Sequence, residues 1–178
     1  LALCRAWLAR PPQPAATLLC VDDEANIVSA LKRLFRPHGY RVLTAQSGAE
    51  GLSILAQQPV DLVISDMRMP EMDGAQFLEQ VCARSPECVR ILLTGYADVD
   101  STVAAINKGE IYRYLSKPWN DHEVLLVVRH AIERRQLERE NRRLEDLTRR
   151  QNVDLKQLNE GLEALVEQRT VEMRRALD

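Results

Sequence analysis

Residues 61–74 read DLVISDMRMPEMDG. The first five are almost wholly apolar and rich in β-branched side chains, the signature of a strand buried on both faces. The run ends at the acid Asp66, and Asp73 and Gly74 lead into a helical pattern with Phe77, Leu78 and Val81 on one side. A strand buried on both faces needs helices on both sides, so the flanking sequence should alternate strand and helix.

It does. Upstream, TLLCV (17–21) is a short apolar run bounded by acids, and Cys20 within it reads as buried. Residues 24–36 place Ile27, Val28, Leu31, Leu34 and Phe35 at helical spacing, stopped by Pro37 and Gly39. RVLTA (41–45) is a second strand. Ser47 is positioned to cap a helix over 48–57 with Ala49, Leu52 and Leu55 facing inward. Downstream of the helix 74–84 come VRILL (89–93), a helix over 98–108 ending at Gly109, IYRYLS (111–116), and a last helix starting near Asn120. Five such units imply an α/β fold: a five-stranded, doubly wound parallel sheet.

Composition agrees. The chain has 178 residues, 46% hydrophobic and 28% charged, which excludes a collagen-like or wholly disordered protein. A net charge of −2 gives no field directed at nucleic acid or an anionic membrane. No run approaches the ~18–20 apolar residues of a membrane-spanning helix. The stretch LALCRAWLAR is too broken by Arg5 and Arg10 for a signal peptide. The four cysteines, Cys4, Cys20, Cys82 and Cys88, form no CxxC pair and lie far from His38, His122 and His130 in sequence, which argues against zinc. Reduced thiols and a cytoplasmic location follow as expectations.

The chemistry lies at the strand ends. Strand one is followed by Asp22, Asp23 and Glu24, strand three by Asp66, strand four by Thr94 and strand five by Lys117. In a parallel sheet all these ends share one edge, where ligands bind. Singly, each residue has a duller reading: Asp22 or Asp23 as a helix cap, Asp66 or Thr94 as turn residues, Lys117 as a solvated side chain. Together they form a site. Two carboxylates about 4 Å apart repel by ~4 kcal/mol at an effective dielectric of 20, so three of them call for a cation. An oxygen-only set favours a hard ion, Mg²⁺ or Mn²⁺. A hard metal, a nucleophilic carboxylate, an ammonium and a hydroxyl are the equipment of phosphoryl transfer.

On VDDE (21–24), SDMRMPEMDG (65–74), LLTGYAD (92–98) and YRYLSKPW (112–119), the chain resembles the receiver domain of two-component response regulators over about residues 16–135. The resemblance implies a flavodoxin-like strand order 2-1-3-4-5. Asp66 matches the phospho-accepting aspartate. Asp23 matches a direct Mg²⁺ ligand, Asp22 its partner acting through water, and the main-chain carbonyl of Arg68 the third protein ligand. Thr94 and Lys117 match the switch hydroxyl and the phosphate-binding lysine. Tyr114 matches the aromatic that turns inward on phosphorylation, against the plainer reading of a strand residue with one wet face. Arg68 and Tyr96 match positions that tune dephosphorylation. Neither suits the orientation of water, which points to a long-lived phosphoryl group. The resemblance also implies a cis Lys117–Pro118 bond, and a sensor histidine kinase or phosphotransfer protein as donor.

The last segment differs in kind. Residues 1–16 read as an extension ending in the linker-like PPQPAA, 17–135 as the receiver, and 136–178 as a coiled coil continuing the last helix. From Trp119 onward there is no proline, and over residues 133–178 acids and bases balance. Leu155, Leu158, Leu162 and Leu165 step by three, four and three, a heptad seam. Leu144 and Leu147 join it through Gln151 by one hendecad. A solitary charged helix buries little, so the segment is expected to pair in parallel as a homodimer through about 137–177. No complete output domain fits after residue 135. The string GEIYRYLSKPWNDHE resembles receivers fused to HD-GYP cyclic-di-GMP phosphodiesterases or to AAA+ transcription activators, so such an output is expected outside this chain. The chain itself is expected to catalyse only its own phosphorylation and dephosphorylation. Rival readings are an Asp-nucleophile phosphatase, which would carry DxD where Arg68 stands, and a phosphorylation-silent pseudo-receiver that only dimerises.

Overall fold

The structure, a computed structural model, describes residues 16–95 and 111–177. In chain order the described elements are β1 (Thr17–Val21), α1 (Ala25–Phe35), a short 3₁₀ turn (Arg36–His38), β2 (Arg41–Ala45), α2 (Gly48–Gln57), β3 (Leu62–Asp66), α3 (Gly74–Arg84), β4 (Val89–Thr94), β5 (Arg113–Ser116) and the C-terminal helix α4 (Asp121–Leu177). The helix expected over 98–108 and the position of Tyr96 lie outside the described residues, as do Cys4 and most of the expected N-terminal extension.

All strand pairings are parallel, in the order β2-β1-β3-β4-β5. The sheet is therefore the five-stranded, doubly wound one that the alternating pattern implies. β1 and β3, which have two neighbours each, are buried at every residue. β5 has one neighbour and is shorter than the expected 111–116, pairing with β4 only from Arg113.

Strand alternation sorts the core into two layers. Leu18, Cys20, Leu62, Ile64, Ile91 and Leu93 face one side, packing with Leu31 and Phe35 of α1 and with Val124, Val128 and Ile132 of α4. Leu19, Val21, Val63 and Leu92 face the other, with Leu52, Phe77, Leu78 and Val81 of α2 and α3. One inward position differs from expectation. Ala49 is exposed, and α2 turns Gly48, Gly51 and Leu52 inward instead. The reason is steric: a Cβ at Gly51 would come within 2.8 Å of the Phe77 ring, and at Gly48 within 2.8 Å of Met72 Sδ. The glycines let α2 lie close against bulky neighbours, and hydrophobic spacing alone does not report that.

The caps follow the sequence. Ser47 Oγ accepts from the Glu50 N–H at 3.2 Å. Asp73 and Gln76 form a reciprocal capping box on α3. Asn120 Oδ1 accepts from His122 and Glu123 N–H groups at 2.9 and 3.3 Å, starting α4 one residue later. By contrast, Glu24, the N-cap residue of α1, makes no side-chain cap.

The chain divides into two units, one reaching Arg135 and one from Gln136 onward. The second is helical throughout its described residues and carries a mostly exposed surface. No described helix is long and apolar enough to cross a membrane.

Candidate phosphoacceptor site

The parallel register brings the ends of β1, β3 and β4 to one edge. Val21 pairs with Ser65 and Asp66 with Leu93. Asp22 and Asp23 follow β1 at once, and Asp66 is the last residue of β3. Carboxylate oxygens of Asp22, Asp23 and Asp66 lie within 4.8 Å of one another.

The three acids have different surroundings. Asp22 is fully buried. Its Oδ1 accepts from the Glu24 N–H at 2.9 Å, and its Oδ2 meets Lys117 Nζ at 2.7 Å. Asp66 is nearly buried, accepting from the Arg68 N–H at 3.1 Å through Oδ2 and facing Lys117 Nζ at 2.6 Å through Oδ1. Asp23 is exposed and, among the described residues, pairs with no cation. Lys117 thus bridges the two sheltered acids and leaves the solvent-facing one open to an ion.

Burial raises the Asp22 carboxyl above its ordinary range, although the hydrogen bonds from Lys117 and the Glu24 amide oppose it. Burial alone would lower Lys117. Its hydrogen bonds to Asp22 and Asp66, and their charges, outweigh that and hold the ammonium above the usual lysine value. Lys117 is therefore a fixed positive charge throughout the neutral range.

Lys117 directly follows β5, and its N–H donates to the Thr94 carbonyl at 2.7 Å; the Lys117–Pro118 peptide is cis, as the resemblance implies. Thr94 closes β4 and is buried, with its hydroxyl donating to the Gly95 carbonyl at 3.2 Å. Tyr114 on β5 is 55% exposed, so its ring stands on the wet face. Arg68 has an exposed side chain beside Asp66. The structure thus brings Asp22, Asp23, Asp66 and Lys117 together. Thr94 is at the adjoining strand end, Tyr114 on the outer face of β5, and Tyr96 outside the described residues.

The sequence reading missed two supports of this site. Ser65 is buried and its Oγ–H donates to the Asp66 carbonyl at 2.9 Å. Gly74 N–H donates to the Met67 carbonyl at 2.9 Å while its Cα abuts the Asp66 main chain. The signal was present in the second case: a glycine in the first turn of a helix is a poor helix former and needs another reason to be there.

Among protein families, residues 18–129 match the response regulator receiver domain. The hydrogenase transcriptional regulatory protein HoxA of Cupriavidus necator is 40% identical over 130 residues, covering 73% of this chain and 27% of that protein. The transcriptional regulatory protein GlrR of Escherichia coli is 39% identical over 118 residues, covering 66% of this chain and 26% of that protein. This chain therefore spans about a quarter of the length of the curated relatives it matches. Among solved structures, the signal receiver domain of an HD domain-containing protein from Pseudomonas fluorescens is 42% identical with a TM-score of 0.70, covering 73% of this chain and 96% of that one. Receiver domains take phosphoryl groups from histidine kinases and bind Mg²⁺ in an acidic pocket, and a pocket of that composition closes the sheet edge here. With the matched residues spanning all five strands and the acidic cluster, the chain belongs to the response regulator receiver family.

Proposed function

We propose that this chain is a phosphorylation-activated receiver that takes a phosphoryl group onto Asp66 from a histidine kinase or phosphotransfer protein. The observation that carries the reading is the bridge of Lys117 across Asp22 and Asp66, with Asp23 left open beside them. An Asp66 oxygen attacks phosphorus, the phosphohistidine N–P bond breaks, and an acyl phosphate results. Lys117, already charged and held at Asp66, follows the phosphoryl oxygens. Thr94 donates its hydroxyl to one of them in place of the Gly95 carbonyl, and Tyr114 turns inward from the outer face of β5. Arg68 and Tyr96 set the phosphoryl lifetime.

The donor set fits a hard divalent ion, Mg²⁺ or Mn²⁺. Asp23 and Asp66 would hold it directly with the Arg68 main-chain carbonyl, and Asp22 would act through water. When bound, the ion neutralises charge on the transferring group.

The chain catalyses nothing beyond its own phosphorylation and dephosphorylation in this reading. It works in the cytoplasm and signals as a homodimer through residues about 137–177, without touching nucleic acid itself. Its output module is a transcription activator or a cyclic-di-GMP phosphodiesterase. The relatives named as transcriptional regulators support the first, and the receiver of an HD domain-containing protein supports the second.

Incubation with acetyl phosphate and Mg²⁺ tests the assignment by intact-protein mass spectrometry. The wild type should gain one phosphoryl group and Asp66→Asn none. Equal labelling of both would reject Asp66, and an unlabelled wild type would favour a silent receiver. Steady turnover of a small phosphate ester would favour a phosphatase.

A further inference from the structure

A cavity of about 270 Å³ opens between the turn after α1 and the first turns of α4, lined by His38, Tyr40, His122, Leu125, Leu126 and Arg129. It lies within the first unit and shares no residue with the acidic site. His122, Leu125, Leu126 and Arg129 recur at i, i+3, i+4 and i+7, so one stripe of α4 makes one wall. His122 and Arg129 stand about 10 Å apart along that stripe, with the two leucines between them.

The apolar parts of the cavity are held in place. Gly39 ends the 3₁₀ turn at φ 82°, and Tyr40 follows with its ring edge-on to Phe35, 6.1 Å between centroids. Tyr40 and Leu125 both pack against the core layer shared by α1 and α4. The polar groups are uncommitted by contrast. The side chains of His38, His122 and Arg129 have no hydrogen-bond or ion-pair partner among the described residues. Arg129 does act on the half-buried Tyr40 hydroxyl, lowering a pKa that burial raises, while Glu133 acts on it in the opposite sense.

Charge selects the kind of ligand. No acid lines the cavity. From Ala25 to Ala49 the chain carries Lys32, Arg33, Arg36, His38 and Arg41 and no acid at all. On the α4 side Asp121 is engaged by the Trp119 indole N–H at 3.1 Å, and Glu123 and Glu133 stand outside the lining. A metal ion fits poorly. The one group of three acids, cysteines or histidines close enough among the described residues to share an ion is the acidic trio, and Arg129 would repel a cation. A guanidinium with imidazole and phenol donors beside it matches an oxyanion, and two leucines match an apolar body. The volume suits one ring and its charged group rather than a nucleotide.

We propose that this cavity binds a small organic oxyanion, its carboxylate or phosphate on Arg129 and its apolar body on Leu125 and Leu126. His38 and Tyr40 border the anion, and His122 closes the far end. Such a ligand ties the turn after α1 to α4, independently of phosphorylation at Asp66.

Titration of the full chain with phenyl phosphate and with benzoate at pH 7 tests this, read by the histidine ring signals in NMR spectra without Mg²⁺. At least one of the two anions should move the His38 and His122 signals saturably, with a Kd at or below about 1 mM. His130, exposed and outside the lining, should stay in place. Arg129→Gln should weaken binding about tenfold. Arg33→Gln removes the same charge outside the cavity and should leave Kd within about twofold. Inorganic phosphate, which has no apolar body, should bind at least about tenfold more weakly. The proposal is overturned if neither organic anion binds saturably, if His130 moves with the other two, if the two arginine variants lose equally, or if inorganic phosphate binds as well as phenyl phosphate and benzoate.

Discussion

Gly74 lies so close to Asp66 that a Cβ at residue 74 would overlap the Asp66 carbonyl oxygen. The first turn of α3 is therefore built against the main chain of the residue that carries the proposed chemistry. Both sides of the contact are backbone, so no side chain can swing aside to relieve it. Gly74→Ala should cost about 2–3 kcal/mol, the range for forced overpacking, despite alanine being the better helix former. Urea denaturation measures that loss. Acetyl phosphate labelling should slow as well, because relief of the overlap must move Asp66 or the 67–73 loop. A Gly74→Ala protein as stable and as readily labelled as the wild type would show that the contact does not constrain the site.

Asp23 bears on metal binding differently from Asp22. It is exposed and has no cationic partner among the described residues, whereas Asp22 is buried against Lys117. Asp23→Asn should therefore weaken Mg²⁺ binding, read by titration of intrinsic fluorescence or by calorimetry, while the metal-free protein keeps or gains stability as like-charge repulsion falls. A clear loss of metal-free stability would mean that Asp23 supports the fold. Asp22→Asn should behave otherwise, since it strips Lys117 of one of its two carboxylates.

The fold was legible because hydrophobic period and strand ends carry it. The apolar runs at 17–21, 62–66 and 89–94 are the buried strands, and register then forces Asp22, Asp23 and Asp66 to one edge. What stayed hidden depends on close approach. Nothing in the spacing of Ala49 and Leu52 reveals that Phe77 and Met72 press on Gly51 and Gly48 and turn α2. Equally, an arginine in a charged helix reads as solvated, yet Arg135 is buried. Its partners come from residues far away in the chain, which no local window contains.

The cysteines should react in an order set by burial. Cys20 is wholly buried and Cys88 nearly so, and burial pushes each thiol up to about 12. At pH 8 almost none of either is thiolate, the reactive form. Cys82 is partly exposed on α3. Iodoacetamide at pH 8 should alkylate Cys82 in the native protein and reach Cys20 and Cys88 only after unfolding, as peptide mass spectrometry would show. Because a raised thiol pKa favours the protonated form on folding, these two groups make stability fall as pH rises through the unfolded thiol value near 9 toward 12. Native labelling of Cys20 at the rate of Cys82 would contradict the burial of β1.

Arg135 and Asp61 form an ion pair at the sheet edge opposite the acidic site, where four segments meet. Asp61 Oδ2 accepts from the Thr17 N–H at 2.8 Å, and its own N–H donates to the Thr17 carbonyl at 2.8 Å. Its carbonyl accepts from the Val89 N–H at 3.0 Å. Arg135 Nε donates to the Glu87 carbonyl at 2.7 Å. One acid thus ties the starts of β1, β3 and β4 to the residue at which the first unit ends. The partners differ in shelter: the Arg135 side chain is 10% exposed and that of Asp61 26%. Removing one member of a sheltered pair leaves the other charge without compensation, and the penalty grows with burial. Asp61→Ala, which strands the more buried guanidinium and frees the Thr17 N–H, should cost about 3 kcal/mol. Arg135→Met keeps the apolar stem and leaves the wetter Asp61 carboxylate its remaining contacts, the Thr17 N–H among them, so it should cost less, about 1–2 kcal/mol. Urea denaturation of the two variants gives the order directly. Equal losses, or a larger loss for Arg135→Met, would mean that packing of the arginine stem outweighs the charge pair.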